Sequence, residues 1–370
     1  METRQPDNRT VVVAMSGGVD SSVAAGLLLR QGFDVHGLTL LICPDAHESA
    51  RQGAPSHAEE DARLAAGQLG IPHHVVDVRE EFEERVIRDF VDEYARGRTP
   101  NPCIRCNEQV KFRALLDEAR SVGAGWVATG HYARVERGPA GNYLLKRALS
   151  AEKDQSYMLY RLGQAELTRA IFPLGELRKD GIRELAREMG LPNADRPDSQ
   201  EICFVGRGGY REFIASRCPE LARDGDVVDL EGRPVGRHQG TIGFTIGQRK
   251  GLGVAAEAPL YVVGIDARSN TVLVGPESAL MARSVVVGDL SWVSGRPPDG
   301  VLAVTCKVRY NMRIVPGEIG PLPDGLWRLE FARADRAPTP GQAAVFYRGD
   351  TVLGGGTIEA VERPAHFRES

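Results

Sequence analysis

The chain has 370 residues, and its 42% hydrophobic and 26% charged side chains are ordinary for a globular protein, which excludes disordered, collagen-like and coiled-coil classes. The formal net charge of −4 excludes nucleic-acid binding through a uniformly basic surface but not through a local basic patch. The length predicts two or three domains. No apolar run reaches the roughly 18 residues of a membrane helix, and the polar N-terminus does not look like a signal peptide, so we predict a cytoplasmic protein with no membrane partner. Six cysteines are too few for a secreted disulfide scaffold.

The first half of the chain alternates short β-branched runs with amphipathic helical patterns. The patterns predict strands at 11–14, 35–41, 75–78 and 126–129, and helices at 22–31, 58–69, 82–94 and from about 107 onward. Alternation of this kind predicts an α/β fold with a parallel sheet and helices on both faces.

The pattern changes after about residue 205, where glycine becomes frequent and helical periodicity fades. Period-two alternation at 301–310 and 326–331, a sharp turn at 348–350 and a glycine-rich run at 354–356 predict a small antiparallel β-barrel. We therefore predict three domains: a catalytic α/β domain at 1–207, a connector domain at 208–282 and a β-barrel at 283–370.

The strongest local motif directly follows the first predicted strand and opens a helix. It reads Ser16-Gly17-Gly18-Val19-Asp20-Ser21-Ser22. The glycines allow backbone amides to approach an anion, and the serine hydroxyls and the helix N-terminus donate to it. Asp20 would repel a phosphate unless Mg²⁺ bridges the two, although it could equally cap the helix. No lysine lies in the loop, which argues against a Walker-type phosphate site and favours the pyrophosphate loop of ATP-pyrophosphatases.

A second motif, Cys103-Ile104-Arg105-Cys106, lies between two amphipathic helices. With Arg105 and Lys111 nearby and a helix predicted to begin near Asn107, the sequence predicts a lowered pKa for Cys106 and a nucleophilic thiolate. A structural zinc site would need a second pair of ligands, and the remaining cysteines are not paired in the sequence. Cys203, read alone, is typical of a small buried hydrophobic residue.

Together these motifs resemble the bacterial tRNA-specific 2-thiouridylases (tRNA-uridine 2-sulfurtransferases) of the ATP-pyrophosphatase, or PP-loop, superfamily, nearly end to end. The matching segments are 14–22, 97–102, 106–107 with 111–112, 128–132, 153–157, 202–204, 238–240, 247–253, 309–310 and 339–342. The loop alone would indicate only the superfamily, whereas the ordered set is specific to the family.

The resemblance implies a role for each matching residue. ATP would be bound, with Mg²⁺, by Ala14, Met15, Ser16, Gly17, Gly18, Val19, Asp20, Ser21, Leu40 and Gly130. Cys106 would be the catalytic nucleophile and Cys203 the cysteine that carries a persulfide. The tRNA would be contacted by Asn101, Pro102, Cys103, His131, Lys153, Asp154, Gln155, Arg309, Tyr310 and Gln342. The implied activity is ATP-dependent 2-thiolation of the wobble uridine in the anticodon loop, with a cysteine desulfurase or a sulfur carrier as the donor.

This sequence departs from the family at Cys103, where many members have aspartate. Three thiols, on Cys103, Cys106 and Cys203, would suit a [4Fe–4S] cluster with an open iron, so cluster-dependent thiolation stands as an alternative to the persulfide route. A different adenylating tRNA-modifying enzyme would explain the loop but not the cysteines. A non-enzymatic RNA-binding or sulfur-carrier protein is disfavoured by the intact loop.

Basic residues are concentrated in three segments, 97–113, 233–250 and 301–313. Each alone is compatible with an ordinary solvated surface. Together with Tyr310 they favour an RNA-binding surface.

Overall fold

The structure is a computed structural model, and it describes residues 8–42, 57–177, 179–196, 202–205 and 208–363. Cys43, one of the six cysteines, and residues 197–201, which precede the matching segment 202–204, lie outside the described residues. Within the described residues, no helix combines the length and apolar character needed to span a membrane.

The first half of the chain forms an α/β unit around a parallel sheet. Its strands are β1 (Thr10–Ala14), β2 (Asp34–Leu41), β3 (His73–Asp77), β4 (Trp126–Ala128), β5 (Ala133–Arg137), β6 (Tyr143–Arg147) and β7 (Ala170–Ile171). Among the described residues, five of them form one parallel sheet in the order β3-β2-β1-β4-β7. Strands β5 and β6 pair with each other as an antiparallel hairpin outside that sheet.

Helices connect these strands and continue into the second half. They are α1 (Val19–Arg30), α2 (His57–Leu69), α3 (Arg79–Phe82), α4 (Arg88–Ala95), α5 (Pro102–Cys106), α6 (Phe112–Ser121), α7 (Gln164–Leu167), α8 (Lys179–Glu188) and α9 (Gly209–Arg217). Two π-helical turns, Glu83–Ile87 and Asn107–Lys111, join α3 to α4 and α5 to α6. Single 3₁₀ turns occupy Ser156–Leu159, Pro219–Leu221, Thr241–Gly243, Glu277–Leu280 and Pro323–Gly325.

Alternating residues of β1 face the two sides of the sheet, and helices cover both. Val11 and Val13 are fully buried in a core with residues of α1, α2 and α8. Val12 and Leu38 are fully buried on the opposite face against α6. Because both faces are covered, a central strand is apolar throughout, which is why β1 reads as an uninterrupted valine run.

The second half of the chain is built of β-sheets in which most strand pairs are antiparallel. Its strands are β8 (Gly225–Val228), β9 (Pro234–His238), β10 (Tyr261–Asp266), β11 (Thr271–Gly275), β12 (Met281–Trp292), β13 (Leu302–Lys307), β14 (Val315–Pro321), β15 (Trp327–Arg336), β16 (Ala343–Arg348) and β17 (Thr351–Glu362). A connector sheet has the order β10-β11-β8-β9, with β8 and β11 parallel. Strands β12-β15-β14-β13-β16-β17 form a barrel, which the pairing of β12 with β17 closes. The β5–β6 hairpin extends the barrel sheet through the pair Thr351 and Lys146.

The predicted fold class is confirmed, but several local expectations need correction. The helix predicted from about residue 107 begins at Pro102, because proline suits the first helical position and the helix continues through the two cysteines. The β5–β6 hairpin and α9 were not predicted, since their short segments carry little periodicity. The division at 207 and 282 stays a prediction.

Two adjacent leucines of α1 give a matched test of the core. Leu28 is 0% exposed and Leu29 is 38% exposed. We expect Leu28→Ala to lower the free energy of unfolding by about 2–5 kcal/mol through lost burial and a residual cavity. Leu29→Ala should change it by less than about 0.5 kcal/mol. Urea unfolding of both variants measures the difference, and equal effects would contradict the described packing of α1.

Candidate functional site

The candidate nucleotide site lies where β1 and β4 run side by side at the centre of the parallel sheet. From β1 the chain passes through α1 to β2, which lies on one side of β1. Strand β4 lies on the other side of β1. In open α/β sheets, ligands bind outside the carboxyl ends of the strands at such a switch point. Residues 15–18 follow β1 and residues 129–131 follow β4. The two loops therefore border the position where this fold class binds ligands.

Glycines allow these loops to approach other backbone closely. Gly17 has φ +74°, and a Cβ there would overlap the carbonyl oxygen of Ala58. A Cβ on Gly130 would lie 2.8 Å from the backbone nitrogen of Ser21. Position 17 requires glycine because of its positive φ and the lack of space for a Cβ, and position 130 requires glycine because of the lack of space alone. The contact of Gly130 with the first turn of α1 joins the two loops into one site.

The phosphate loop is also fixed by hydrogen bonds. The Ser21 hydroxyl donates to the Gly18 carbonyl at 2.9 Å and accepts from the Ser16 amide at 3.2 Å. The Asn193 side-chain amide donates to the Gly17 carbonyl at 2.9 Å and to the Ser22 hydroxyl at 3.0 Å. Asn193 is buried, and no motif in the sequence singled it out, because a lone asparagine in a turn carries no specific signal.

Asp20 lies in the first turn of α1 with its carboxylate held from outside the loop. The Tyr132 hydroxyl donates to Asp20 Oδ1 at 2.8 Å, and the Lys153 ammonium lies 5.6 Å from the Tyr132 ring centre. Tyr132 belongs to a segment that the sequence analysis quoted, but no role was assigned to it. A carboxylate oriented beside serine hydroxyls is a donor set that fits Mg²⁺, which is usually bound by one or two carboxylates together with substrate phosphates.

The remaining residues predicted to bind nucleotide lie at the same edge of the sheet. Ala14 ends β1, Met15 follows it, Val19 begins α1, and Leu40 is next to the last residue of β2. The Thr39 hydroxyl donates to the Met15 carbonyl at 2.8 Å, which ties the end of β2 to the loop. The structure thus brings the residues predicted to bind nucleotide together at one edge of the sheet.

The two cysteines of the Cys-x-x-Cys motif lie on the first turns of a continuous helical segment, α5 through α6. Cys103 is exposed and Cys106 is half-buried. Burial raises the pKa of Cys106, and the positive charge of Lys111 lowers it less than burial raises it. The surrounding protein likewise raises the pKa of Cys103, and the nearby Cys106 adds to the rise. The lowered pKa predicted for Cys106 is therefore wrong for this conformation, because dehydration of the thiolate outweighs the nearby charge.

Lys111 connects the thiols with the nucleotide crevice. Its charge acts on Cys103, on Cys106 and on His131, the residue after Gly130. Burial, with a contribution from Lys111, holds the pKa of His131 well below its usual range, so the imidazole is neutral at physiological pH. One cation thus lies within electrostatic range of both thiols and of the loop after β4.

Cys203 is exposed, so its interpretation as a small buried hydrophobic residue is wrong. Its neighbour Phe204 is the buried member, with ring centres 5.6 Å from Phe82 and 5.2 Å from Phe90. Ile202 and Cys106 pack against this same hydrophobic cluster. The segment that carries Cys203 and the helix that carries Cys106 therefore share one core.

The three candidate cluster ligands do not form a metal site. Across the described residues, no group of three or more histidine, cysteine, aspartate or glutamate side chains is arranged to hold a metal ion. Cys103, Cys106 and Cys203 in this arrangement therefore do not fit an iron–sulfur cluster.

Several residues predicted to contact tRNA instead make internal contacts. Gln342 donates to the carbonyls of Thr99 at 2.8 Å and Pro100 at 3.2 Å, immediately before Asn101. Arg309 donates to the Ile246 carbonyl at 2.9 Å and to the Thr339 hydroxyl at 2.7 Å, which links the barrel to the connector. These two side chains hold segments of the protein together in this conformation.

Residues of the 153–155 segment also make contacts within the protein. The Asp154 carboxylate has no exposed surface and accepts hydrogen bonds from Arg147 at 3.0 Å and from the Ser156 amide at 3.2 Å. Gln155 accepts from the Tyr132 amide at 3.0 Å. Asp154 therefore acts on its surroundings rather than on a ligand in this state.

Tyr310 and Asn101 lie near the cysteine motif. Tyr310 is half-buried, the Lys307 ammonium lies 5.2 Å from its ring centre, and the charge of Cys103 acts on its hydroxyl. The Asn101 side-chain amide lies 3.5 Å from the Met158 sulfur, and Pro102 is buried.

Two of the three basic segments, 97–113 and 233–250, carry less free charge than the sequence indicates. Arg98 pairs with Glu93 at 2.7 Å and with Glu359 at 2.5 Å. Arg233 pairs with Asp229 and Glu231, each at 2.8 Å. Acidic partners distant in the sequence, such as Glu359, could not be identified from local charge patterns.

Comparison with known proteins covers nearly the whole chain. Three family profiles match: "tRNA methyl transferase HUP domain" at residues 9–207, "tRNA methyl transferase PRC-barrel domain" at 211–276 and "Aminomethyltransferase beta-barrel domain" at 282–358. A tRNA-specific 2-thiouridylase MnmA from Chloroflexus aurantiacus is 49% identical over 95% of this chain and 99% of its own length. The MnmA of Heliobacterium modesticaldum is 50% identical over 94% of this chain and 92% of its own.

A solved 4-thiouridine synthetase–RNA complex with bound ATP is similar over 57% of this chain and 50% of that chain, with 20% identity and a TM-score of 0.37. The full-length matches at about half identity carry the assignment. This chain belongs to the tRNA-specific 2-thiouridylase family.

Proposed function

We propose that this protein 2-thiolates the wobble uridine of tRNA in an ATP-dependent reaction that passes through adenylation of the C2 oxygen. The observation that carries the proposal is the phosphate loop after β1, which the contact of Gly130 with Ser21 joins to the loop after β4, in a chain that matches the 2-thiouridylases over nearly its whole length. The charge of Lys111 acts on both helix thiols and on His131 in the loop after β4, which is consistent with an adenylating site near the thiols. The proposal rests on family membership for its substrate and on this geometry for its chemistry.

The reaction needs an activated leaving group. The C2 oxygen of uridine leaves poorly as hydroxide, whereas it leaves readily as part of AMP. ATP is the cofactor that family membership implies, and cleavage between its α and β phosphates attaches AMP to that oxygen. The amides of the loop 15–18 and the N-terminus of α1 stabilise the departing pyrophosphate.

Magnesium, when bound, neutralises charge on the phosphates, and Asp20 is the residue that would hold it. The Tyr132 hydroxyl keeps the Asp20 carboxylate oriented toward the loop. His131 remains neutral, so it adds no positive charge that would compete with Mg²⁺ for the phosphates.

Sulfur arrives as a persulfide on Cys203, delivered by a cysteine desulfurase or a sulfur carrier in the cytoplasm. The terminal persulfide sulfur attacks C2, and AMP leaves with the original oxygen. The Cys106 thiolate then attacks the Cys203 sulfur, so that the S–S bond breaks, sulfur remains on the base, and a Cys106–Cys203 disulfide forms for later reduction. Exposure of Cys203 supports loading by a donor protein.

The tRNA contributes its anticodon loop. A base there is outside a duplex, so extruding it costs only a few kcal/mol at most. Asn101, Pro102 and Cys103 lie beside the thiols and face the target base in this proposal, with Tyr310 available for stacking. Lys153, half-buried beside Tyr132, contributes to binding of the tRNA backbone, while Asp154, Gln155, Arg309 and Gln342 fix the surrounding segments.

The two thiols of the proposed reaction can be tested separately. We expect Cys106→Ser and Cys203→Ser each to abolish formation of 2-thiouridine in an assay with ATP, tRNA and a sulfide or persulfide donor. The product nucleoside should be about 16 Da heavier than uridine, because sulfur replaces oxygen. Liquid chromatography with mass spectrometry measures it.

Cys218→Ser is the matched control, since Cys218 is a half-buried thiol outside the proposed mechanism. It should retain activity. Full activity in either of the other two variants, or a product mass other than that of thiouridine, would reject the assigned roles.

Lys111 can be tested through the titration of Cys106. Lys111→Gln removes the positive charge that lowers the pKa of this thiol, so the pKa should rise and less thiolate should exist at a fixed pH. We expect iodoacetamide labelling of Cys106 at pH 8 to slow by about three- to tenfold, equivalent to half to one pKa unit. Lys111→Arg should keep most of the rate. If the rate of Cys106 labelling depends on pH in the same way in Lys111→Gln as in the wild-type protein, Lys111 does not lower the pKa of this thiol.

A further inference from the structure

An ion-pair network joins the helix that carries both cysteines to the C-terminal barrel. Arg105, which lies between Cys103 and Cys106, donates to Asp289 of β12 at 2.7 Å. Arg161 donates to the same carboxylate oxygen at 2.5 Å and to the Asp289 carbonyl at 2.7 Å. One aspartate of the barrel thus holds two arginines of the α/β unit.

The backbone at Asp289 is shaped to make this contact. Asp289 has φ +45°, and the pairing of β12 with β17 shifts register between Gly288 and Ser291. A bulge of this kind redirects a side chain that a regular strand would place elsewhere. Aspartate and asparagine tolerate the left-handed conformation better than most residues, so the position selects a short polar side chain.

The network is well balanced and partly withdrawn from water. Glu108 accepts from Arg161 at 3.1 Å and from Arg105 at 3.4 Å, and Asp89 lies 3.7 Å from Arg105. The Arg161 side chain is only 6% exposed. Contacts this buried are stronger than surface ion pairs, and removing one partner leaves a charge uncompensated.

The network borders a cavity at this junction. The cavity has a volume of about 220 Å³, lies between the helix start and the barrel, and its lining includes Asn101, Ile104, Arg105, Arg161, Asp289 and Ala343. Ile104 shares a hydrophobic cluster with the barrel residues Ala343 and Val345, and the ion pairs of Asp289 add a charged contact beside that packing.

We propose that Asp289 is a positioning residue that, through Arg105 and Arg161, sets where the barrel holds Cys103 and Cys106. Its catalytic consequence rests on the function proposed above. The barrel also carries Tyr310, so a helix fixed to the barrel keeps a constant distance between the thiols and a base stacked on this side chain. A misplacement of about 1 Å can cost on the order of a hundredfold in rate, so this relation bears directly on turnover.

Asp289→Asn is the test variant, because it keeps the size and the tolerance of the backbone conformation while removing the charge. Asp350→Asn is the matched control. Asp350 also lies in the barrel, is 47% exposed against 46% for Asp289, and also pairs with two cations of the α/β unit, Arg134 at 2.6 Å and Lys146 at 3.2 Å. It does not contact the cysteine helix in any described interaction.

Two readouts decide the proposal. Without RNA, labelling of Cys106 by iodoacetamide, quantified by peptide mass spectrometry, should accelerate several-fold in Asp289→Asn and stay unchanged in Asp350→Asn. In single-turnover thiolation with preloaded persulfide, Asp289→Asn should lower the maximal rate constant by about tenfold or more, with the half-saturating tRNA concentration little changed. The melting temperatures of the two variants should be similar, which separates positioning from general destabilisation.

A double-mutant cycle with Arg105→Gln checks that the effect passes through the contact. The double variant should be no slower than the worse single variant. Equal labelling of Cys106 in the two aspartate variants, or additive effects in the cycle, would overturn the proposal. If the wild-type protein makes no thiouridine, the proposed function is wrong. The labelling of Cys106 still tests the positioning role of Asp289 in that case.

Discussion

The close backbone contact between Gly130 and the first turn of α1 is the constraint on which the site depends. A side chain at 130 would displace the backbone of Asp20 and Ser21, so the loop after β4 could no longer meet the loop after β1. That meeting defines the crevice at the switch point of the sheet, places His131 beside it and brings Tyr132 to the Asp20 carboxylate. The proposed positions of nucleotide, metal and thiols follow from this one approach of two backbones.

Two of the contacts that join the barrel to the α/β unit differ in character. The β5–β6 hairpin continues the barrel sheet at Lys146, next to the ion pairs of Asp350. Asp289 contacts the cysteine helix through ion pairs that lie beside a cavity. A continuous sheet is stiff, whereas an ion-pair contact of this kind responds to nearby charge.

Much of the fold could be predicted because local sequence patterns indicate it. The valines of β1 and the alternation of the barrel strands indicate burial directly, and Ser16 to Ser22 indicates an anion site by composition alone. The helix start at Pro102 was missed because a proline before two cysteines reads locally as an extended loop, while in the fold it occupies the first helical position.

The site was predicted less completely, because its geometry depends on contacts distant in the sequence. Asn193 reaches Gly17 across more than 170 residues, and Asp289 reaches Arg105 across 184. The pKa of Cys106 was predicted in the wrong direction, since neighbouring charges are visible in a sequence and burial is not. The roles of Cys106, Cys203 and the tRNA-contacting residues stay predictions.

The central claim is that the uridine C2 oxygen leaves as part of AMP. The most direct measurement uses tRNA whose wobble uridine carries oxygen-18 at C2, in a single turnover with unlabelled ATP, persulfide-loaded protein and ordinary water. The account predicts that the label appears in the phosphate of AMP, in amounts equal to the thiouridine formed. Label released into water, with AMP and pyrophosphate unlabelled, would contradict it.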